Sequence, residues 1–167
     1  RASIADPFLP TKIREGRSDD IRECIGCNIC IASWHDGVPV RCTQNATAGE
    51  EWRRGWHPEQ FTKTAKASSV LVVGGGPAGL EAALIAARQG LEVTIAERDE
   101  DWGGRVLKES QLPGMASWRR VRDYRVWALS QMGNVSMFAN SELDHDAIMG
   151  FGADHIALAT GAHWTRN

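Results

Sequence analysis

The sequence predicts an α/β fold: an incomplete Rossmann-like dinucleotide-binding domain over residues 67–167, preceded by a small cysteine-rich segment over residues 24–66. Three observations carry this. The apolar run Val70-Leu71-Val72-Val73 passes directly into Gly74-Gly75-Gly76-Pro77-Ala78-Gly79, and a helix-like stretch and a second strand ending at Glu97 follow. All four cysteines fall between positions 24 and 42, three of them at C-x2-C-x2-C spacing. The composition, 43% apolar and 24% charged over 167 residues, is that of a folded chain with one domain or two small ones.

Residues 1–23 begin with a proline-bounded turn, Asp6-Pro7-Phe8-Leu9-Pro10, and continue through the polar positions Lys12, Arg14, Glu15 and Arg17. They read as an extension that packs on another part of a longer polypeptide. Asp19-Asp20 suits the cap of a helical turn leading to the first cysteine.

Cys24, Cys27, Cys30 and Cys42 can converge on one metal centre, with eleven residues between the third and the fourth. Four thiolates suit zinc or iron–sulfur chemistry. The repeated C-x2-C step is the cluster-binding run of bacterial ferredoxins, whereas structural zinc sites separate two hooks by a longer span. A [4Fe-4S] cluster is the first reading; zinc, or no metal, are the alternatives. No proline follows Cys42, so a single cluster is expected rather than a two-cluster domain. Gly26 supplies the backbone freedom to wrap a centre, and Ile25, Ile29, Ile31 and Trp34 are candidates for its dry wall.

Residues 43–67 are polar and irregular. Trp52 and Trp56, four apart, are placed to share one face of a turn, and Arg53 and Arg54 to offset thiolate charge or simply to face water. His57 is not needed as a ligand.

Val70–Val73 reads as a buried parallel strand. The glycines at 74, 76 and 79 satisfy G-x-G-x-x-G in its required context of strand, turn, helix, strand and acid. Gly74 makes the turn, Gly76 lets a diphosphate approach the backbone, and Gly79 lets the helix pack against the sheet. Leu80 to Gln89 reads as a helix, with Leu80, Ala83, Leu84 and Ala87 on one face, and Gly90 ends it. Glu97, 23 residues after Gly74, is placed to accept adenosine ribose hydroxyls. Gly103-Gly104-Arg105 is a candidate second approach to the ligand, Arg105 as a phosphate contact. A helix is expected over 117–132, its arginines either solvated or facing an acidic partner, and a strand over 135–139. A short helix over 144–150 and a buried strand at 156–159 follow, after which Thr160 and Gly161 are candidates to border the nucleotide.

A net charge of −2 and the lack of a basic tail give no nucleic-acid signal. No run is apolar enough for a membrane span, and no signal peptide is expected. The thiols suit a reducing interior, and a cytoplasmic location is expected. The chain opens at Arg1 without methionine and stops soon after a strand-like segment, which reads as a piece of something longer. No nucleophile frame, carboxylate pair or P-loop is present, so no catalytic residue is named.

Ser3-Ile4-Ala5-Asp6-Pro7-Phe8-Leu9-Pro10, Cys24 to Cys30, Cys42 to Gly49, Arg54-Gly55-Trp56-His57-Pro58, the glycine motif and Ala159-Thr160-Gly161 carry a resemblance over nearly the whole chain. The chain resembles the middle portion of the iron–sulfur flavoprotein amine dehydrogenases (trimethylamine, dimethylamine and histamine dehydrogenase), relatives of old yellow enzyme and 2,4-dienoyl-CoA reductase. The resemblance implies a TIM barrel before Arg1 that carries FMN and the substrate pocket. Residues 1–23 would be its end, with Arg1 near the FMN phosphate. Cys24, Cys27, Cys30 and Cys42 would hold the [4Fe-4S] cluster that relays electrons from the flavin to an electron-transferring flavoprotein. The nucleotide fold would hold ADP in the amine dehydrogenases, or FAD in the reductases, where electrons run inward from NAD(P)H. Gly74, Gly76, Gly79, Glu97 and Gly104 carry over to that site in either branch. The function implied is the electron-relay and nucleotide-binding portion of an amine dehydrogenase, a homo-oligomer when full length. An NAD(P)H-dependent enoate or dienoyl-CoA reductase and a non-catalytic zinc-binding module are the rivals.

Overall fold

The computed structural model describes residues 2–162, which fall into two units, Arg1–Thr62 and Lys63–Asn167. Among the described residues the first is built from four short α-helices, α1 (Ala2–Ala5), α2 (Leu9–Arg14), α3 (Ile29–His35) and α4 (Glu51–Arg54), with a 3-10 turn at Ser18–Asp20 between α2 and α3. Helices this short do not hold themselves together, and a buried ionic cluster does part of that work.

Lys12, on α2, is fully buried, and its ammonium meets Asp6 Oδ2 at 2.8 Å, the Asp20 carbonyl at 2.9 Å and Glu59 Oε1 at 2.8 Å. Three acceptors match the three N–H bonds of a lysine. Asp6 also accepts the backbone N–H of Phe8 and of Arg22. Burial alone would push the Asp6 carboxyl up, but Lys12 and these backbone donors outweigh it and hold it below its ordinary value. Burial would likewise lower the Lys12 ammonium, and the Asp6 and Glu59 carboxylates instead raise it. Lys12→Ala is expected to lower the local opening free energy of residues 6–22 by about 3–5 kcal/mol, because it strands a buried carboxylate. Native-state hydrogen exchange on the full-length protein reads this, and a loss below about 1 kcal/mol, the size of a surface pair, would overturn it. The depressed Asp6 carboxyl stabilises the fold above its unfolded value, and that stability is lost as pH falls through the folded value. The raised Lys12 ammonium acts at the other end: its contribution is complete below its unfolded value and lost as pH rises through the folded one.

In the second unit, β1 (Ser69–Val73), α5 (Pro77–Arg88), β2 (Glu92–Ala96), α6 (Arg105–Glu109), α7 (Arg120–Ser130), β3 (Val135–Phe138), α8 (His145–Gly150) and β4 (His155–Leu158) follow in chain order. The four strands are parallel, in the order β3-β2-β1-β4. Val70 and Val72 pair in register with Val93 and Ile95. They join Leu80, Ala83, Leu84 and Ala87 of α5 and Tyr124, Ala128 and Leu129 of α7 in one buried cluster. The period-2 and period-3.6 patterns thus meet in the core.

Three expectations are corrected. Helix α5 begins at Pro77, since proline suits the first helical position and Gly76 caps it in an extended conformation. The stretch 116–130 is a 3-10 turn, Ala116–Arg119, followed by α7. Strand β4 is not buried: Leu158 is 70% exposed, because β4 is an edge strand paired only with β1 among the described residues.

Candidate functional site

Gly26 (φ 71°) and Asn28 (φ 61°) both take the left-handed backbone, so the chain turns twice between Cys24 and α3. Cys30 sits in the first turn of α3, and Cys42 returns from the loop beyond it. Cys24, Cys27, Cys30 and Cys42 line one hollow of about 320 Å³, its open mouth included, with Ile25 and Ile29 among the other wall residues. All four are half-buried free thiols. The Gly26 N–H donates to Cys24 Sγ at 3.4 Å, and Thr43 Oγ1 lies 3.2 Å from Cys27 Sγ. Among the described residues no three His, Cys, Asp or Glu side chains are grouped to hold a metal ion. The donor set suits soft-metal chemistry, and the four thiols surround a shared hollow rather than closing on one point.

The polar run after Cys42 forms turns, in keeping with its irregular pattern, but Gln44, Asn45, Thr47 and Ala48 within it are buried. Gln44 is inaccessible and donates to the Glu23 carbonyl at 2.9 Å, which ties the Cys42 side of the hollow to the Cys24 side. Asn45 donates to the Ile4 carbonyl and accepts from Thr47. Ile31 and Trp34 do not line the hollow; Trp34 is exposed and meets His35 edge-on. Trp52 and Trp56 share no buried face. Trp52 is 98% exposed and Arg54 lies over Trp56, while Glu50 pairs with both Arg53 and Arg54. Nδ1 of His57 accepts the N–H groups of Glu59 and Gln60.

In the second unit, three glycines of the motif differ in what demands them. A Cβ on Gly74 would stand 2.3 Å from the Ala159 carbonyl oxygen, and one on Gly79 would stand 1.9 Å from the Gly74 oxygen. Both are glycine so that protein packs on protein. A Cβ on Gly76 meets no atom within 4 Å, and its φ of −71° suits any residue. Space is left open over Gly76, beside the first turn of α5, whose N–H groups lack helical partners. Such an end receives diphosphates.

Glu97 is buried, and its carboxylate accepts the Gly75 N–H at 2.5 Å and the Asp99 N–H at 3.0 Å. Gly104 (φ 52°) approaches Gly76: an added Cβ would stand 3.4 Å from the Gly76 Cα. Arg105 starts α6 and pairs with Glu109 at 2.6 Å, half-exposed. The Thr160 backbone runs beside Gly74, followed by Gly161 at φ 83°. Arg1 lies outside the described residues. Of the α7 arginines, Arg125 binds Glu81 at 2.6 Å and Arg122 donates to the Trp102 carbonyl at 3.0 Å, so two of the charges expected on a solvated or docking face serve packing. Sequence reasoning passed over Trp102 and Gly75. A tryptophan directly before a glycine pair was the available signal.

A parallel βαβ unit closed by a buried acid, with open backbone at its glycine turn, has the frame of a dinucleotide-binding module. Residues 69–132 match the family described as FAD dependent oxidoreductase. Dimethylamine dehydrogenase of Hyphomicrobium sp. (strain x) is 47% identical over 171 residues, covering 99% of this chain and 23% of that protein. Histamine dehydrogenase from Rhizobium sp. 4-9 superposes with a TM-score of 0.97 at 54% identity, over 99% of this chain and 24% of that one. A 2-naphthoyl-CoA reductase superposes at 0.92 with 34% identity, over 100% of this chain and 25% of that one. The chain is an oxidoreductase-type module, similar over nearly its whole length to amine dehydrogenases and to old-yellow-enzyme-like reductases. It spans about a quarter of the length of the curated relatives it matches.

Proposed function

We propose that this chain is the electron-relay and nucleotide-binding portion of an iron–sulfur flavoprotein dehydrogenase that oxidises a small amine of the dimethylamine, trimethylamine or histamine type. The observation that carries the reading is the hollow walled by all four thiols. Residues 1–23 are then the end of an FMN-binding barrel, residues 24–66 the [4Fe-4S] segment and linker, and residues 67–167 part of an ADP- or FAD-binding domain. A bound cluster supplies one-electron transfer. Cys24, Cys27, Cys30 and Cys42 would hold it as thiolates, with the Thr43 hydroxyl donating to the Cys27 sulfur and the buried Ile25 keeping water from one side, a setting that tunes potential.

At the nucleotide end, Gly76 admits the diphosphate, Gly74 and Gly79 set the turn beneath it, and Glu97 faces the ribose. Gly104, Arg105, Thr160 and Gly161 border the ligand. The FMN sits on the barrel, with Arg1 near its phosphate. The partners are the rest of the polypeptide, an electron-transferring flavoprotein and further copies of the enzyme, in the reducing cytoplasm.

The likeness to a 2-naphthoyl-CoA reductase supports a second reading, an NAD(P)H-dependent enoate or dienoyl-CoA reductase. Denaturing extraction of the full-length protein, with mass identification of the released nucleotide, separates the two. ADP with FMN left covalently attached supports the amine dehydrogenase; FAD with free FMN supports the reductase. One zinc with no iron or labile sulfide would replace both with a structural module.

Glu97→Gln is expected to weaken ADP binding about tenfold. An amide has one oxygen to accept two backbone N–H groups, and its NH2 faces a donor, a mismatch worth ~1.5–3 kcal/mol for a charged acceptor. Calorimetry with ADP measures this, and an unchanged affinity removes Glu97 from the site.

A further inference from the structure

Gly75 is pinned on three sides. Its N–H donates to Glu97, its carbonyl accepts the Gly103 N–H at 2.8 Å, and the Trp102 indole covers its face. A Cβ at Gly75 would stand 2.5 Å from Trp102 Cε3 and 2.9 Å from Cζ3. Its φ is not in the left-handed region, so space rather than backbone conformation requires glycine there. Trp102 is itself held. Its carbonyl accepts Arg122 Nε at 3.0 Å, its ring packs against the core cluster, and the neighbouring Gly103 lies against the Arg122 stem. Arg122 projects from α7, whose buried face is part of that core.

We infer that Trp102, braced by Arg122, is a positioning residue for the nucleotide diphosphate, an inference that rests on the nucleotide site proposed above. The Gly75–Gly76 peptide is trans and planar, so a carbonyl drawn toward Gly103 turns the Gly76 N–H to the opposite side. The indole bars the peptide from rolling back. Loop 102–104 therefore sets the orientation of the donor at the one motif glycine whose surroundings are open. An unbraced glycine turn samples other peptide orientations, and a diphosphate must then select the competent one.

The test uses the full-length protein freed of exchangeable nucleotide, with ADP and adenosine as probes. ADP is followed by calorimetry, and adenosine, which binds more weakly, by ligand-detected NMR. Trp102→Leu and Arg122→Met are each expected to weaken ADP about tenfold while adenosine stays within about twofold, because adenosine carries no phosphate. Gly75→Ala alone is expected to weaken ADP at least as much. Gly75→Ala combined with Trp102→Leu returns close to the Trp102→Leu value, since the nearest clash, with the indole, is gone and the next contact, Glu97 Cβ at 3.0 Å, is milder. Equal losses for ADP and adenosine, unchanged ADP affinity in both single variants, or additive losses in the double variant each overturn the inference. Wild-type protein that binds ADP while the variants match it sinks the brace alone. Wild-type protein that binds neither ADP nor FAD sinks the nucleotide site, and the brace with it. If Trp102→Leu does not fold, the Arg122→Met comparison decides.

Discussion

Gly76→Val is expected to leave the protein folded and to empty its nucleotide site. A Cβ at this position meets no protein atom within 4 Å, and the extended backbone at Gly76 suits a β-branched residue. Stability should therefore stay within about 0.5 kcal/mol. The same side chain fills the space a diphosphate needs to reach the backbone, so nucleotide retained after gel filtration should fall below about a tenth of wild type, a loss of at least 1.4 kcal/mol. Gly79→Ala is the control. Its Cβ would stand 1.9 Å from the Gly74 oxygen, and overpacking of that kind costs about 1–3 kcal/mol or more. Full nucleotide occupancy in the Gly76 variant, with the mass of the substituted chain confirmed, would falsify the site.

The second large effect is at the thiols. Cys27→Ala is expected to abolish the cluster's broad visible absorbance in the full-length protein, leaving the flavin bands, and to remove most of its iron and labile sulfide. Cys27 is the middle member of the C-x2-C-x2-C run, and its sulfur lies beside the Thr43 hydroxyl within the shared hollow. A cluster held by thiolates does not survive the loss of one at no cost. Cys30→Ser, which keeps a weaker oxygen ligand, should give partial occupancy. An unchanged spectrum and iron content in Cys27→Ala would remove the cysteines from the proposal and leave the hollow as a packing feature.

Much of the second unit was legible because its signals are short-range. Val70–Val73, the glycine turn and the Leu80–Ala87 face announce strand, turn and helix within 20 residues, and the structure uses them in that order. The exposure of β4 was not legible. A run such as Ile156-Ala157-Leu158 has the same composition in a central strand as at an edge, and only the strand order separates the two. Trp52 shows the converse, an aromatic whose spacing suggested packing and whose side chain faces out.

By itself the sequence determined the thiol spacing, the glycine turn and the periodicities that make a parallel α/β unit, because each is a relation between near neighbours along the chain. The tertiary structure decided what those neighbours serve. It buried Lys12 against Glu59, 47 positions away, set Gln44 to close the wall of the thiol hollow, and laid Trp102 over Gly75. These contacts join residues whose distance apart in space no local pattern encodes. They form only when the loss of chain entropy is offset by burial and by polar groups that satisfy one another.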